Sequence, residues 1–342
     1  MGEYDEKALF DKIDRIAARP GWRSRQPGPS VGDGANVTPV VPDQNRRTAE
    51  DNKEAGPRFP LYNKGPERAD IVILVATQEE LRQLGKAWPL SWSNAGDREF
   101  SYSFAKTELC GYEITVVKAK QGRMGMVDAA TLTTQAIHAL SPKLIAMTGI
   151  CAGVGGDVSR GDLIVAAQAY DYGSGKLFPE GPQPDYNFVP MNATLGGDLE
   201  QFWETNEEAL RKVQDAWPGG NTGKPPTMLR AHAGNIGSGA GVLANESIVQ
   251  GIQSRDRALR GIDMEAYGIA RAAVLACPPV PFIVVKGVQD FGDHLHTDQH
   301  EPFGDYAAFV SAKFLLEFLK SYWGRFVGVI HGEDRLASGK AG

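Results

Sequence analysis

Residues 261–293 of the 342-residue chain read GIDMEAYGIARAAVLACPPVPFIVVKGVQDFGD. This stretch predicts a short extended segment, a helix that Glu265 opens, and a fully apolar strand over Pro281–Val285 that leads to Asp290. Fully apolar strands are typical of parallel sheets buried on both faces, and such sheets bind ligands at the carboxyl ends of their strands. We therefore expect Asp290 to lie at a ligand-binding edge of the sheet.

Strands and helices alternate along the rest of the sequence. Apolar runs of strand length cover Ile71–Ala76, Tyr112–Val117, Leu144–Met147, Asp162–Ala169 and Met228–Ile236. Helical patterns begin at Thr77 and cover Met126–Leu140, about 199–217 and Tyr306–Tyr322. Because strands that alternate with helices build sheets covered on both faces, the pattern predicts an α/β fold, a three-layer sandwich with a central mixed β-sheet flanked by helices.

Two glycine-rich turns follow predicted strands. Residues 148–156 read TGICAGVGG and residues 237–241 read GSGAG. Glycine lets a backbone approach a ligand closely, so both turns are candidate ligand contacts. The sequence contains no Walker motif and no GxGxxG, which disfavours a P-loop enzyme and an ordinary dinucleotide fold.

Composition divides the chain into four segments. Residues 1–19 predict a short amphipathic helix, and residues 20–67 form an arm or linker rich in proline and glycine. Residues 68–323 form the main folded domain, in which residues 172–226 are an elaborated loop that carries one helix. Residues 324–342 are predicted to be a C-terminal tail.

The overall composition is that of a soluble globular protein, with 42% hydrophobic and 23% charged residues. The apolar runs are too short or too interrupted for a membrane span, and the first residues lack the apolar core of a signal peptide. We therefore expect a cytoplasmic protein with no membrane partner. The formal net charge of −6 argues against a broad nucleic-acid surface.

The sequence gives little support for a metal site or a disulfide framework. The three cysteines are far apart and form no CxxC motif. The loop Asp293-His294-Leu295-His296, with Asp298 and His300, has a spacing that chance often produces, so we predict no bound metal. Contact with a substrate phosphate is the better functional interpretation of these histidines.

Two motifs carry a family resemblance, DMEA at 263–266 leading into a helix and VKGVQD at 285–290 after a strand. They resemble the nucleoside phosphorylase and nucleosidase superfamily. The most similar groups are the methylthioadenosine/S-adenosylhomocysteine nucleosidases and the phosphorylase-like effector domains of bacterial anti-phage systems. The resemblance covers the 68–323 domain, about three quarters of the chain, and implies that it is the catalytic domain.

The resemblance implies hydrolysis of the N-glycosidic bond of a purine, most simply adenine, nucleoside or nucleotide. In this family the aspartate at the position of Asp290 donates a proton or hydrogen bond to N7 of the base. The glutamate at the position of Glu265 binds the ribose hydroxyls, and Met264 packs under the sugar. The attacking water is held by the groups that correspond to Glu80, Glu265 and Lys286.

The base-binding segment departs from the family pattern. Relatives stack an aromatic residue on adenine where this chain has Val242, followed by Leu243. Stacking must then be weaker or come from elsewhere, for instance from Phe291 or from the 172–226 loop. Ile150 and Cys151, on the first glycine-rich turn, are further candidate substrate contacts, whereas covalent catalysis by Cys151 is disfavoured because the reaction needs no such nucleophile.

Three alternatives bear on the reaction. Hexameric phosphorylases carry an arginine and a serine at the positions of Met147 and Ile150, so water is the expected nucleophile. A phosphate-dependent purine nucleoside phosphorylase remains an alternative, with Arg123 and Arg160 as phosphate ligands. A non-catalytic nucleotide-sensing module is another, although such a module would be expected to lose at least one of the three carboxylates.

The resemblance also implies partners. It calls for no cofactor, for a small purine nucleoside or nucleotide as ligand, and for a homo-oligomer, either a dimer or a hexamer. A role as a nucleotide-depleting anti-phage effector is one interpretation.

We expect a 5′-phosphorylated substrate, because basic side chains are available to line a phosphate path, namely Lys176, Arg230, His294, His296 and His300.

Overall fold

A computed structural model of the chain describes residues 65–97, 100–179, 181–293, 300–330 and 332. The predicted N-terminal helix and nearly all of the arm before residue 68 lie outside these ranges, as do His294 and His296. The proposed segment boundaries therefore remain predictions.

Twelve strands and seven helices lie in the described ranges. The strands are β1 (Ile71–Val75), β2 (Ser93–Gly96), β3 (Ser101–Leu109), β4 (Tyr112–Lys120), β5 (Leu144–Gly153), β6 (Leu163–Asp171), β7 (Gly175–Phe178), β8 (Gly181–Pro184), β9 (Val189–Pro190), β10 (Ala231–Ser238), β11 (Leu259–Asp263) and β12 (Phe282–Asp290). The helices are α1 (Gln78–Ala87), α2 (Met126–Leu140), α3 (Ala193–Glu204), α4 (Glu207–Asp215), α5 (Glu246–Gln253), α6 (Ala266–Leu275) and α7 (His300–Ile330).

The central sheet is mixed and has the order β11-β10-β6-β12-β5-β1-β4-β3-β2, with β9 added beside β6. β12, β5, β1 and β4 are parallel neighbours, whereas β6 runs antiparallel to β12. β11 also pairs with β5 across the sheet, at Gly261 opposite Gly153 and Ile262 opposite Ala152. This pairing closes β5, β12, β6, β10 and β11 into a ring and brings the carboxyl ends of β5, β11 and β12 together.

Helices flank this sheet, as the sequence predicts. Every residue of β12 is buried, and α7 packs along β12 and β5 while α1 packs against α7. α6 packs against α2 and also contacts β6 and β10. Although α7 is 31 residues long, none of the described helices is long and apolar enough to cross a membrane.

The bounds of several predicted strands and helices need correction. β5 continues past Met147 to Gly153, because its ladder with β12 runs through the glycine-rich stretch instead of stopping before it. α7 begins at His300 and ends at Ile330, so it includes residues 324–330 of the predicted tail. The 172–226 segment holds two helices and the β7–β8 hairpin instead of one helix, because Asn206 accepts a hydrogen bond from the Ala209 N–H and starts a new helix.

Candidate active site

A pocket of about 270 Å³ opens where β5, β11 and β12 end. Its lining combines apolar side chains with carboxylates, and the residues are Ala76, Thr77, Glu80, Met124, Ile150, Cys151, Ala152, Gly241, Val242, Leu243, Ile262, Asp263, Met264, Glu265, Gln289 and Asp290. Among these described lining residues, every charged side chain is acidic. The described lining therefore offers no cationic side chain to bind an anion.

The carboxylate of Glu80 occupies the gap where β1 and β5 separate. The ladder between these strands ends at the pair Leu74 and Met147. Beyond it, Glu80 Oε2 accepts hydrogen bonds from the N–H groups of Ala76 (2.7 Å) and Thr77 (2.9 Å), and Oε1 accepts one from the Ile150 N–H (3.0 Å). A carboxylate has about four acceptor positions, so one position remains for a water molecule.

Local sequence explains why Glu80 is fixed in this place. Thr77 caps α1, its hydroxyl accepts from the Glu80 N–H, and the Glu80 side chain returns to the Thr77 N–H, which makes a capping box. Gly149, with φ of +149°, faces the same carboxylate, and a Cβ atom at this position would collide with Glu80. The glycine is therefore required by both its backbone conformation and its contact.

Glu265 lies at the first turn of α6 and is 4% exposed. Its Oε1 accepts hydrogen bonds from the Gly125 N–H (2.9 Å) and from Gln121 Nε2 (3.2 Å). The Nζ of Lys286 lies 3.7 Å from Oε2. Three elements thus fix the position of this carboxylate, namely the loop before α2, the helix α6 and the strand β12.

The pKa values of Glu265 and Lys286 are both raised in the folded protein. Burial raises the pKa of Glu265 above its usual range, and Asp263 and Glu80 add to this rise while Lys286 opposes it. Burial disfavours the charged form of Lys286, but the carboxylates of Asp263, Glu265 and Glu80 outweigh it and raise the pKa of the ammonium. Lys286 therefore stays charged.

Asp263 is a central residue of the site that the sequence interpretation missed. Its carboxylate lies 3.2 Å from Lys286 Nζ, accepts from Ser238 Oγ (2.7 Å), and accepts from the N–H groups of Glu265 and Ala266. An aspartate just before a helix start is a recognisable capping signal, which could have identified it. Asp263 orients the first turn of α6 and the buried lysine.

Asp290 is the last residue of β12, and its side chain lines the pocket. Its Oδ1 accepts a hydrogen bond from the Gly292 N–H (2.8 Å), and Gly292 adopts φ of +64°, which favours glycine. One carboxyl oxygen is thereby anchored by the turn that follows the strand.

The structure brings most of the predicted site residues to one pocket. Glu80, Glu265, Asp290, Met264, Val242, Leu243, Ile150 and Cys151 all line it. Lys286 and Phe291 do not: Lys286 is fully buried beneath the carboxylates, and the Phe291 ring lies 6.0 Å from the Arg160 guanidinium. No aromatic residue occurs in the described lining, and Val242 is 55% exposed.

The described residues also bear on other roles that the sequence raises. Burial raises the pKa of the Cys151 thiol, so it stays protonated and is a poor nucleophile. Arg230 donates to the Asp157 carbonyl, Ser159 Oγ and Asp162, and neither Arg230 nor Lys176 lines the pocket. In the described part of the chain, no group of three or more histidine, cysteine, aspartate or glutamate side chains could hold a metal ion.

Comparison with known proteins gives a family match and several relatives. A family model described as the phosphorylase superfamily matches residues 70–320. The uncharacterised protein y4jS of Sinorhizobium fredii is 36% identical over 54% of this chain and 45% of its own length. The ATP nucleosidase Cap17 of Escherichia coli is 23% identical over 61% of this chain and 42% of its own length. The chain thus spans less than half the length of these two curated relatives.

Two further matches are spanned almost completely. The 5′-methylthioadenosine/S-adenosylhomocysteine nucleosidase of Bacillus cytotoxicus is 23% identical over 73% of this chain and 98% of its own length. The crystal structure of the enzyme of that name from Neisseria meningitidis, in complex with methylthio-immucillin-A, has 21% identity and a TM-score of 0.56. The match covers 73% of this chain and 98% of the Neisseria chain. This structural likeness concerns the fold.

Proposed function

The chain belongs to the phosphorylase superfamily, and on that premise we propose that it is a nucleosidase, which hydrolyses the N-glycosidic bond of a purine nucleoside or nucleotide and releases adenine. One observation carries the proposal: the carboxylates of Glu80, Glu265 and Asp290, which lie far apart in the sequence, line a single pocket. The same three carboxylates disfavour the alternative of a non-catalytic sensing module.

The chemistry of the reaction fits this arrangement. Breaking the bond places positive charge on the sugar and negative charge on the leaving base. Asp290 is proposed to donate a proton or hydrogen bond to N7 of the base, which makes the purine a better leaving group. The carboxylates that line the pocket are proposed to stabilise the cationic sugar, because fixed polar groups act most strongly on charge that develops in the transition state.

The nucleophile is proposed to be a water molecule held by Glu80. Three backbone donors fix this carboxylate and leave about one acceptor position open. Glu265 is proposed to accept from the ribose hydroxyls, with Met264 against the sugar. Val242 and Leu243 are proposed to contact the base.

The acidic lining also supports water over phosphate. Phosphorolysis needs cationic or hydroxyl donors for an oxyanion, and the described lining offers no cationic side chain. Met147 is fully buried in the sheet, and Ile150 presents an apolar side chain. We therefore rank phosphate-dependent cleavage below hydrolysis.

The substrate is proposed to be an adenine nucleoside or nucleotide, and its 5′ group remains the open variable. The names of the relatives cover ATP and methylthioadenosine. If ATP is the preferred substrate, a role as a nucleotide-depleting effector follows. A phosphate tail would be expected to leave the carboxylate-lined part of the pocket, because like charges repel.

Incubation of the purified protein with ATP, AMP, adenosine and methylthioadenosine, followed by chromatography, tests the proposal. We expect free adenine from at least one of the four. Comparison of the kcat/KM values then identifies the preferred 5′ group, since binding energy from groups remote from the reacting bond raises kcat/KM for the preferred substrate. Release of no base from any purine nucleoside or nucleotide would remove the proposed activity.

A further inference from the structure

We propose that Ser311, on α7, is a positioning residue that holds Glu80 in its working geometry through the backbone of Gly149 and Ile150. The inference rests on the proposed function. Ser311 does not line the pocket, and no sequence motif marks it. Its role follows from a chain of hydrogen bonds between the long helix α7 and the gap between β1 and β5.

The hydroxyl of Ser311 is completely buried and has two partners. Its Oγ accepts a hydrogen bond from the Gly149 N–H (3.1 Å) and donates one to the Ala308 carbonyl (2.8 Å). The bond to Ala308 fixes the direction of the hydroxyl proton. The lone pairs of Oγ are therefore directed toward Gly149, and the helix backbone orients the acceptor.

The N–H group of the next residue, Ile150, binds the Glu80 carboxylate. The Ile150 N–H donates to Glu80 Oε1 at 3.0 Å, so Ser311 and Glu80 bind successive amides of β5. The ladder between β1 and β5 has ended at Met147, so Glu80 supplies the acceptor for the Ile150 N–H that a longer β1 would have supplied.

Gly149 is the residue whose backbone this support restrains. The direction of the Ile150 N–H depends on the dihedral angles of Gly149, and glycine restricts these angles least of all residues. A side chain cannot supply the restriction, because a Cβ atom at Gly149 would collide with the Glu80 carboxylate. Pairing with Lys286 of β12 restrains Gly149 within the sheet, and the hydrogen bond to Ser311 adds a restraint from α7.

Loss of the Ser311 hydroxyl should therefore act on the water-activating step. Gly149 would keep a buried N–H without an acceptor, its peptide would relax, and the third donor to Glu80 would move. Glu80 is proposed to hold water and not substrate, so the effect belongs to kcat. We expect Ser311→Ala to lower kcat by about tenfold or more, equivalent to roughly 1.4 kcal/mol in the barrier, with KM changed less than about twofold.

A double-mutant cycle separates this role from a general loss of stability. Ser311→Ala, Glu80→Gln and the double variant are compared with the wild-type chain in steady-state release of adenine. If Ser311 acts through Glu80, adding Ser311→Ala to Glu80→Gln should reduce kcat by less than about twofold further. Fully multiplicative losses would overturn the proposal.

Thr133→Val is the matched control. Thr133 is a fully buried hydroxyl on α2 that donates to the Ala129 carbonyl at 2.7 Å, and it has no contact with Glu80. We expect this variant to keep the wild-type kcat at temperatures where it is folded. An equal loss of kcat in Thr133→Val and Ser311→Ala would also overturn the proposal.

The cycle remains informative if the proposed function fails. Should the wild-type chain release no base from any substrate, the same four proteins are compared by urea unfolding. Non-additive shifts of the midpoint would still support the coupling of Ser311 to Glu80, whereas additive shifts would reject it.

Discussion

Lys286 illustrates how a single residue supports the site without lining it. Its ammonium lies within 3.2 Å of Asp263 and 3.7 Å of Glu265, in a position fully shielded from solvent. Removal of one partner from a buried ion pair leaves the other charges without compensation, which typically costs about 3–5 kcal/mol. We expect Lys286→Met to lower the free energy of unfolding by about this amount in urea at neutral pH.

The control is Lys106→Met, which breaks a pair with Glu113 whose partners are 69% and 76% exposed. Exposed pairs contribute little, so we expect a change below about 1 kcal/mol. The pKa of Lys286 is raised on folding, so its contribution is complete below the unfolded value of about 10.4 and is lost only as the pH rises through the folded value. Equal losses in the two variants would contradict the buried pair.

Asp290 is the residue whose substitution tests the leaving-group step. The amide of Asp290→Asn is nearly isosteric and can still accept from the Gly292 N–H, so the fold should survive. It has no labile proton for N7 of the base. We expect base release to fall by about 10²- to 10⁴-fold, the usual effect of losing a general acid.

Steady-state kinetics with chromatography of the base measures this loss, and circular dichroism confirms folding. Asp157→Asn is a suitable control, because Asp157 is largely exposed and lies outside the pocket lining. Turnover by Asp290→Asn at the wild-type rate on every purine nucleoside tried would remove Asp290 from the mechanism.

At the scale of elements, the split between β1 and β5 decides the geometry of the site. Gly149 lies in this split, and any side chain there meets the Glu80 carboxylate. We expect Gly149→Ala to displace Glu80 and to lower kcat by at least about tenfold. It should also lower the urea midpoint, because alanine is strained at the positive φ of this residue.

Gly197→Ala provides the comparison within the same chain. Gly197 lies inside α3, and a Cβ atom there would meet no neighbouring atom within 4 Å. Alanine should leave kcat unchanged and stabilise the fold by about 0.5–1 kcal/mol, because glycine is costly in a helix interior. If Gly149→Ala behaves like Gly197→Ala, the contact with Glu80 has no functional weight.

Sequence patterns predict the elements best where local signals agree. α2 covers the predicted residues 126–140, since Gly125 precedes it and Ser141 ends it in the left-handed conformation. β5 is predicted too short, because its glycines indicate a turn, whereas pairing with β12 and β11 keeps them in the sheet. Tertiary pairing of this kind leaves no mark on the local sequence.

The residues of the candidate site divide in the same way, into those with a local sequence signal and those fixed by tertiary packing. Glu265 and Asp290 stand in motifs, and Glu80 stands at a capped helix start, so these residues could be selected from the sequence. Ser311 could not, because its partner Gly149 is 162 residues away and the contact depends on how α7 packs. Lys286 was expected to touch the attacking water, but it is fully buried beneath the carboxylates and does not line the pocket. The local sequence does not show this burial, because it depends on how the ring of strands packs.

At the scale of the whole molecule, the distribution of charge around the pocket favours one sugar product. The described lining is acidic, so phosphate should be excluded and water should attack. We expect free sugar as the product, at rates that do not depend on phosphate. Analysis of the sugar in phosphate and in phosphate-free buffer measures this, and sugar 1-phosphate formed only with phosphate present would make the protein a phosphorylase.

The exposed position of Val242 has a consequence for the evolution of the site. The reacting end is tied into the protein interior through backbone donors and a buried lysine, so substitutions there change stability together with rate. Val242 lines the same pocket but is 55% exposed, so a new side chain there displaces little. On the proposal that Val242 contacts the base, selectivity for the base can change between related chains at little cost in stability.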